Sequence, residues 1–179
     1  MLGRATLILR AFTEFETELD LTGLTARTGL PRSTVHRIAA ELVELGHLDR
    51  SPTGKYVVGL GLWEIGELAA VSLRLREVSL PHLLTLFQAT SENVHLAVLS
   101  GSEALYVARL TGESSIPTLS RMGGRLPLHT TGVGKALLST MPEEWLSRYF
   151  AQPRERETAH SVTDESALRA ELSSARERG

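Results

Sequence analysis

A chain of 179 residues with 42% hydrophobic content has room for one domain or two small ones. It contains no cysteine, which excludes a disulfide framework and any thiolate metal site, and its formal charge of −2 means that attraction to a polyanion must be local. No run approaches the ~18 apolar residues of a membrane span, and Arg4, Arg10 and Glu14 interrupt the amino terminus against a signal peptide, so the expected location is the cytoplasm.

Ala5 to Phe12, with Leu7, Ile8 and Ala11, reads as a first helix. After the acidic run Glu14, Glu16, Glu18 and Asp20 comes the most informative segment, Leu21 to Tyr56. Leu21, Leu24 and Ala26 give a short helix an apolar side, with Thr22 as its expected cap and Gly29 as its end. Pro31 stands where the next helix begins, a position that tolerates its missing N–H. In that helix Val35, Ile38, Ala39, Leu42 and Leu45 repeat at helical period, and Gly46 ends it. Leu48-Asp49-Arg50, Ser51-Pro52-Thr53-Gly54 and Lys55-Tyr56-Val57-Val58 then read as strand, turn, strand. The plan is that of a winged helix-turn-helix.

The face opposite the apolar stripe carries Arg32, Ser33, His36 and Arg37, which can bond phosphate or base edges in a major groove. An amphipathic helix with polar residues outside is also ordinary in any globular protein. What favours DNA is the local charge: Leu21 to Ala40 holds Arg27, Arg32 and Arg37 and no acidic residue. The preceding acidic run is expected on a solvated loop facing away from DNA. Arg50 and Lys55 flank the tip of the wing, where a DNA backbone would pass.

Further on, Leu62 to Leu75 reads as a helix rich in Leu, Ile, Ala and Val, and Leu80 to Thr90 as another with Pro81 near its start. Asn93 to Leu99 and Ala104 to Leu110, joined by Ser100-Gly101-Ser102, form an expected hairpin, with a third strand over Ile116 to Met122. Trp145, Leu146 and Tyr149 belong to a helix after Pro142, and Leu168 and Leu172 to a last one. Helices around an antiparallel sheet make an α+β domain.

His129-Thr130-Thr131-Gly132-Val133-Gly134-Lys135-Ala136 invites comparison with a phosphate-binding loop and fails it. The position that needs the first glycine holds His129, and Ala136 follows the lysine where Ser or Thr is required. What remains is a glycine-rich turn opening a helix from Lys135 to Thr140. It serves either as a tight turn under the sheet or as a place whose N–H groups suit a carboxylate. His129 has no nucleophile or orienting partner nearby in sequence, and a structural hydrogen bond is its expected role. His36 and His95 lack metal-ligand spacing, so no metal and no cofactor are expected.

The runs TGLPRSTVHRIAAELVELGHL (28–48) and GKYVVGLGLWEIG (54–66) resemble the amino-terminal domain of the IclR family of bacterial transcriptional regulators. RMGGRLPLHTTGVGKALLS (121–139) resembles that family's effector-domain signature. The resemblance implies an α+β chain: a winged helix-turn-helix DNA-binding domain over residues 1–60, a linker and dimerisation helix over 61–76, and a GAF-like α/β effector-binding domain over 77–179. The family's effector domain usually runs further, so this one is read as incomplete at its carboxyl end. Without the resemblance, the 62–75 helix is equally an interdomain core helix.

The implied mechanism is a dimer or tetramer on a palindromic DNA operator. Arg27, Arg32, Ser33, Thr34, His36 and Arg37 would serve the major groove, and Arg50, Lys55 and Tyr56 the backbone. By motif position Leu126, Gly132 and Val133 would line a pocket for a small organic acid, joined by Ser115 and Thr118, which are polar where many members are apolar. Two other classes compete. An enzyme would need a convergent acid/base or metal constellation, which the sequence does not show. A protein-binding module would not need a basic, acid-free face.

Overall fold

The computed structural model describes residues 1–69, 74–112 and 120–178. The chain divides into two compact units, Met1–Leu73 and Arg74–Gly179.

The first unit holds α1 (Leu2–Leu9), β1 (Glu18–Leu19), α2 (Leu21–Thr28), α3 (Arg32–Glu44), β2 (Leu48–Arg50), β3 (Tyr56–Val58) and α4 (Leu60–Glu67). Val35, Ile38, Ala39 and Leu42 bury the inner face of α3 against Ile8, Leu24, Leu48 and Tyr56. Gly29 closes α2 in the left-handed region at φ 65°, which lets α3 start three residues later. The wing is the antiparallel pair β2–β3, as the turn residues imply.

Several local expectations give way here. The first helix lies earlier than Ala5 to Phe12, running Leu2–Leu9 and closed by the Arg10 N–H on the Thr6 carbonyl and the Ala11 N–H on that of Ile8; Ala11 still reaches the core. The acidic run is not a plain solvated loop. Glu18–Leu19 pairs with β3 as a third strand of the wing sheet, in the order β1-β3-β2. Asp20, not Thr22, caps α2, its carboxylate accepting the Gly23 N–H at 2.7 Å. The 62–75 helix is not continuous: α4 stops at Glu67, closed by bonds from the Leu68 and Ala69 N–H groups to residues three back. Residues 70–73 lie outside the described ones.

The second unit holds α5 (Arg76–Thr90), β4 (Val94–Ser100), β5 (Glu103–Leu110), β6 (Arg125–Pro127), α6 (Gly132–Ser139), α7 (Glu143–Phe150) and α8 (Glu165–Arg178). Its sheet is antiparallel in the order β4-β5-β6, with a register shift between Leu96 and Ala97. Ala104, Tyr106, Leu128, Leu138, Phe150, Leu168 and Leu172 form its core. Pro81 sits inside α5 rather than near its start, where it forgoes a bond to the Glu77 carbonyl. Of the strand expected over 116–122, residues 116–119 lie outside the described ones and 120–122 are not strand. The third strand is β6. A turn at Gly123, φ 71°, brings it back along β5, with Gly123 donating to the Tyr106 carbonyl and Tyr106 donating to that of Gly124.

Candidate functional site

On α3, Arg32, Ser33, His36 and Arg37 are exposed and Thr34 is half-buried. Positions 32, 33, 36 and 37 share one side of a 3.6-residue helix, so the burial of Val35, Ile38 and Ala39 turns them outward together. Their surroundings differ. Arg32 Nη1 donates to Thr22 Oγ1 at 3.1 Å, which ties it to α2. Arg37 has only a loose contact with Glu41, 3.8 Å away, and its side chain is 60% exposed.

Two expected DNA contacts are corrected. Tyr56 is 1% exposed and part of the core, its hydroxyl unpartnered among the described residues, so it cannot reach a DNA backbone. Its ring instead carries Arg50, whose guanidinium carbon lies 3.6 Å from the ring centre while Nη1 donates to the Gly54 carbonyl at 2.6 Å. Arg50 is thereby fixed at the wing, and Lys55 is exposed beside it. Arg27 is also committed elsewhere: it pairs with Glu16 and donates to the Ala11 carbonyl, pinning α2 to the segment after α1. Arg27→Ala is expected to lower the stability of this unit by about 1 kcal/mol, a charge-assisted bond discounted for partial exposure. A urea titration checks it; an unchanged midpoint would refute the tie. Sequence reasoning also missed Glu18 at the wing, where Oε2 accepts from Ser51 Oγ at 3.4 Å and Thr53 Oγ1 at 3.3 Å.

In the second unit a cleft of about 480 Å³ opens between the sheet, the start of α6 and the segment 157–162. Leu126 and Gly132 line it. Val133 does not; it packs half-buried against the second core, because α6 begins at Gly132 and turns the next side chain inward. Ser115 and Thr118 lie outside the described residues.

His95, Tyr106, Ser120, Thr131 and Lys135 border the cleft and were not read from the sequence. A ring nitrogen of His95 stands 3.1 Å from Ser120 Oγ, and the ring meets Tyr106 edge-on. Burial, and then the charge of Arg109, hold the His95 imidazole below its usual range and favour the neutral ring. Burial raises the Tyr106 phenol, partly offset by its bond to Thr131. His129 is buried and structural: Nε2 donates to the Glu155 carbonyl at 2.8 Å, which leaves Nδ1 to accept from the Tyr149 hydroxyl at 3.1 Å. The tight glycine of the turn is Gly134, whose added Cβ would lie 2.3 Å from the Leu128 carbonyl oxygen; at Gly132 it would meet nothing within 4 Å. Among the described residues no group of His, Asp or Glu has the geometry to hold a metal ion, and no helix is long and apolar enough to cross a membrane.

The chain is similar to known proteins over both units. Residues 1–52 match the IclR helix-turn-helix domain, and residues 68–179 match the C-terminal domain of bacterial transcriptional regulators of the IclR type. The HTH-type transcriptional regulator XynR of Escherichia coli is 35% identical over 80% of this chain, and KipR of Bacillus subtilis 34% over 75%. The chain spans 58% and 54% of the lengths of those two regulators. An IclR homologue of Microbacterium hydrocarbonoxydans, solved in complex with 4-hydroxybenzoate, superposes with a TM-score of 0.91 at 35% identity, covering 99% of this chain and 74% of the other. The Thermotoga maritima IclR structure gives 0.77 at 28%, covering 99% and 72%. With family models matched across both units and relatives above 30% identity, the chain belongs to the IclR family of bacterial transcriptional regulators.

Proposed function

We propose that the chain is a sequence-specific DNA-binding regulator of transcription, cytoplasmic, whose second unit responds to a small organic acid. The observation that carries the DNA assignment is the outward face of α3: Arg32, Ser33, His36 and Arg37 exposed on a helix held by a helix-turn-helix core. Residues 1–60 act as the reading head, 61–76 as linker and pairing element, and 77–179 as the effector-binding domain. Pairing through α4 is supported by its surface, since Leu60, Trp63, Ile65 and Leu68 are each more than half exposed and no residue of the helix is buried. A dimer, or a dimer of dimers, sets two copies of α3 on a pseudo-palindrome about 34 Å apart or a multiple of that.

The acid reading is supported by a cleft of the size that small ligands occupy, about 300–1,000 Å³, and by the 4-hydroxybenzoate held by the Microbacterium relative. A bound acid would favour one dimer geometry over another and so change the spacing of the heads. Footprinting of the chain on the DNA upstream of its own gene, at fixed salt, tests the proposal. Protection of a two-fold symmetric site is the expected result; affinity indifferent to sequence at every salt concentration would refute it.

A further inference from the structure

Helix α8 grips α6 at both ends. Near the start of α6, Lys135 Nζ lies 2.6 Å from Glu171 Oε2; at its end, Arg176 Nε donates to the Ser139 carbonyl at 2.7 Å. The two helices run parallel in this contact, since 171 meets 135 and 176 meets 139. An acid thus stands at the start of α6 and a guanidinium at its end, the arrangement a helix dipole favours. Lys135 itself runs against that rule: it is a cation in the first turn of its own helix, and Glu171 supplies the compensating charge.

Lys135 also borders two cavities, the ligand cleft and a groove of about 600 Å³ between α6 and α8 in which Glu171 lies. Among the described residues lining the cleft it is the one lysine or arginine, and Glu157 is the one acid. Three of the other polar side chains of the cleft are already engaged. His129 is used by Tyr149 and the Glu155 carbonyl, Tyr106 by Thr131, and His95 by Ser120. The Lys135–Glu171 pair is partly exposed, at 30% and 42% by side chain, and such pairs shift an equilibrium by a factor of about five or less. Glu171 Oε2 itself is buried with no hydrogen-bond partner among the described residues beyond its ion pair with Lys135, so an anion in the cleft has to replace that contact as well as attract Lys135.

We propose that Lys135 recognises the charge of the cleft's ligand, and that a bound carboxylate draws it away from Glu171 and loosens the α6–α8 clamp. This rests on the reading that the cleft takes a small organic acid. Occupancy of the cleft then reaches α8, which does not line it.

Calorimetric titration of the full chain with 4-hydroxybenzoate, and with uncharged 4-hydroxybenzamide, tests the exchange in wild type, Lys135→Gln, Lys135→Arg and Glu171→Gln. Lys135→Gln is expected to weaken the acid about tenfold and leave the amide unchanged, and Lys135→Arg to restore most of the acid's affinity. Glu171→Gln, which removes the competitor, is expected to tighten the acid about two- to fivefold. A merely structural role for Lys135 would move acid and amide together, and that result overturns the proposal. Equal acid affinity in wild type, Lys135→Gln and Glu171→Gln overturns the exchange while leaving the acid-binding reading standing. Failure of both probes to bind the wild-type chain removes that reading and the exchange with it.

Discussion

Arg37→Ala is expected to weaken binding to the operator about 10- to 100-fold at fixed salt, and to do so much less on unrelated DNA. The expectation follows from how little holds this side chain. It projects from the middle of α3, 60% exposed, with Glu41 no closer than 3.8 Å, so its guanidinium is available for a base edge. A bidentate base contact is worth roughly 1–3 kcal/mol of discrimination. Arg32 differs because its guanidinium is tied to Thr22 of α2, which leaves it less free than Arg37 to form a bidentate base contact and suits it to a positioning role on the backbone. Arg32→Ala is therefore expected to weaken specific and non-specific binding alike, and to lower the slope of log affinity against log salt by about one. Fluorescence anisotropy on operator and scrambled duplexes, across several salt concentrations, separates the two. Unchanged operator affinity in Arg37→Ala would remove that residue from the interface, and a sequence-dependent loss in Arg32→Ala would exchange the two roles.

What the sequence made legible, and what it did not, divides along the range of the interactions. The helix-turn-helix rests on local signals: Gly29 at positive φ, Pro31 before a helix, and an apolar stripe at helical period. Tyr56 misled because alternation along a three-residue strand does not say which face meets the core, and the packing of Leu24 and Leu48 decides it. Strand β1 has two residues, and its pairing with β3 spans some forty positions, so the acidic run gives no hint of it. Glu18 reaches the wing for the same reason. In the second unit the family motif pointed to Leu126 and Gly132, and both border the cleft. His95 and Tyr106 meet because the register shifts by one between Leu96 and Ala97, an irregularity no alternation pattern announces. The 157–162 segment borders the cleft through long-range ties, His129 donating to the Glu155 carbonyl before it and Arg154 to the Thr163 carbonyl after it.

The same turn carries the second large effect, and the structure assigns its two glycines opposite duties. Gly134→Ala is expected to destabilise the second unit by about 1–3 kcal/mol, the usual cost of overpacking. Its new methyl group would sit 2.3 Å from the Leu128 carbonyl oxygen and 2.5 Å from the Leu128 Cα, and neither is a flexible side chain able to swing away. Leu128 is fully buried, so the strain passes into the core rather than into solvent. Gly132→Phe is expected to leave the melting temperature nearly unchanged, since nothing stands within 4 Å of the added carbon and phenylalanine suits a helix better than glycine. Its ring has the cleft to occupy, because Gly132 borders that cavity and begins α6. On the proposed reading of the cleft as a small-acid site, loss of acid binding, probed with 4-hydroxybenzoate, with DNA binding retained is the expected signature. Thermal melting and ligand titration of the two variants side by side decide the matter. A Gly132→Phe chain that binds the acid normally takes this turn out of the cleft wall. A Gly134→Ala chain that melts like the wild type would mean that α6 can slide on Leu128, which would free that helix to move when Lys135 changes partner.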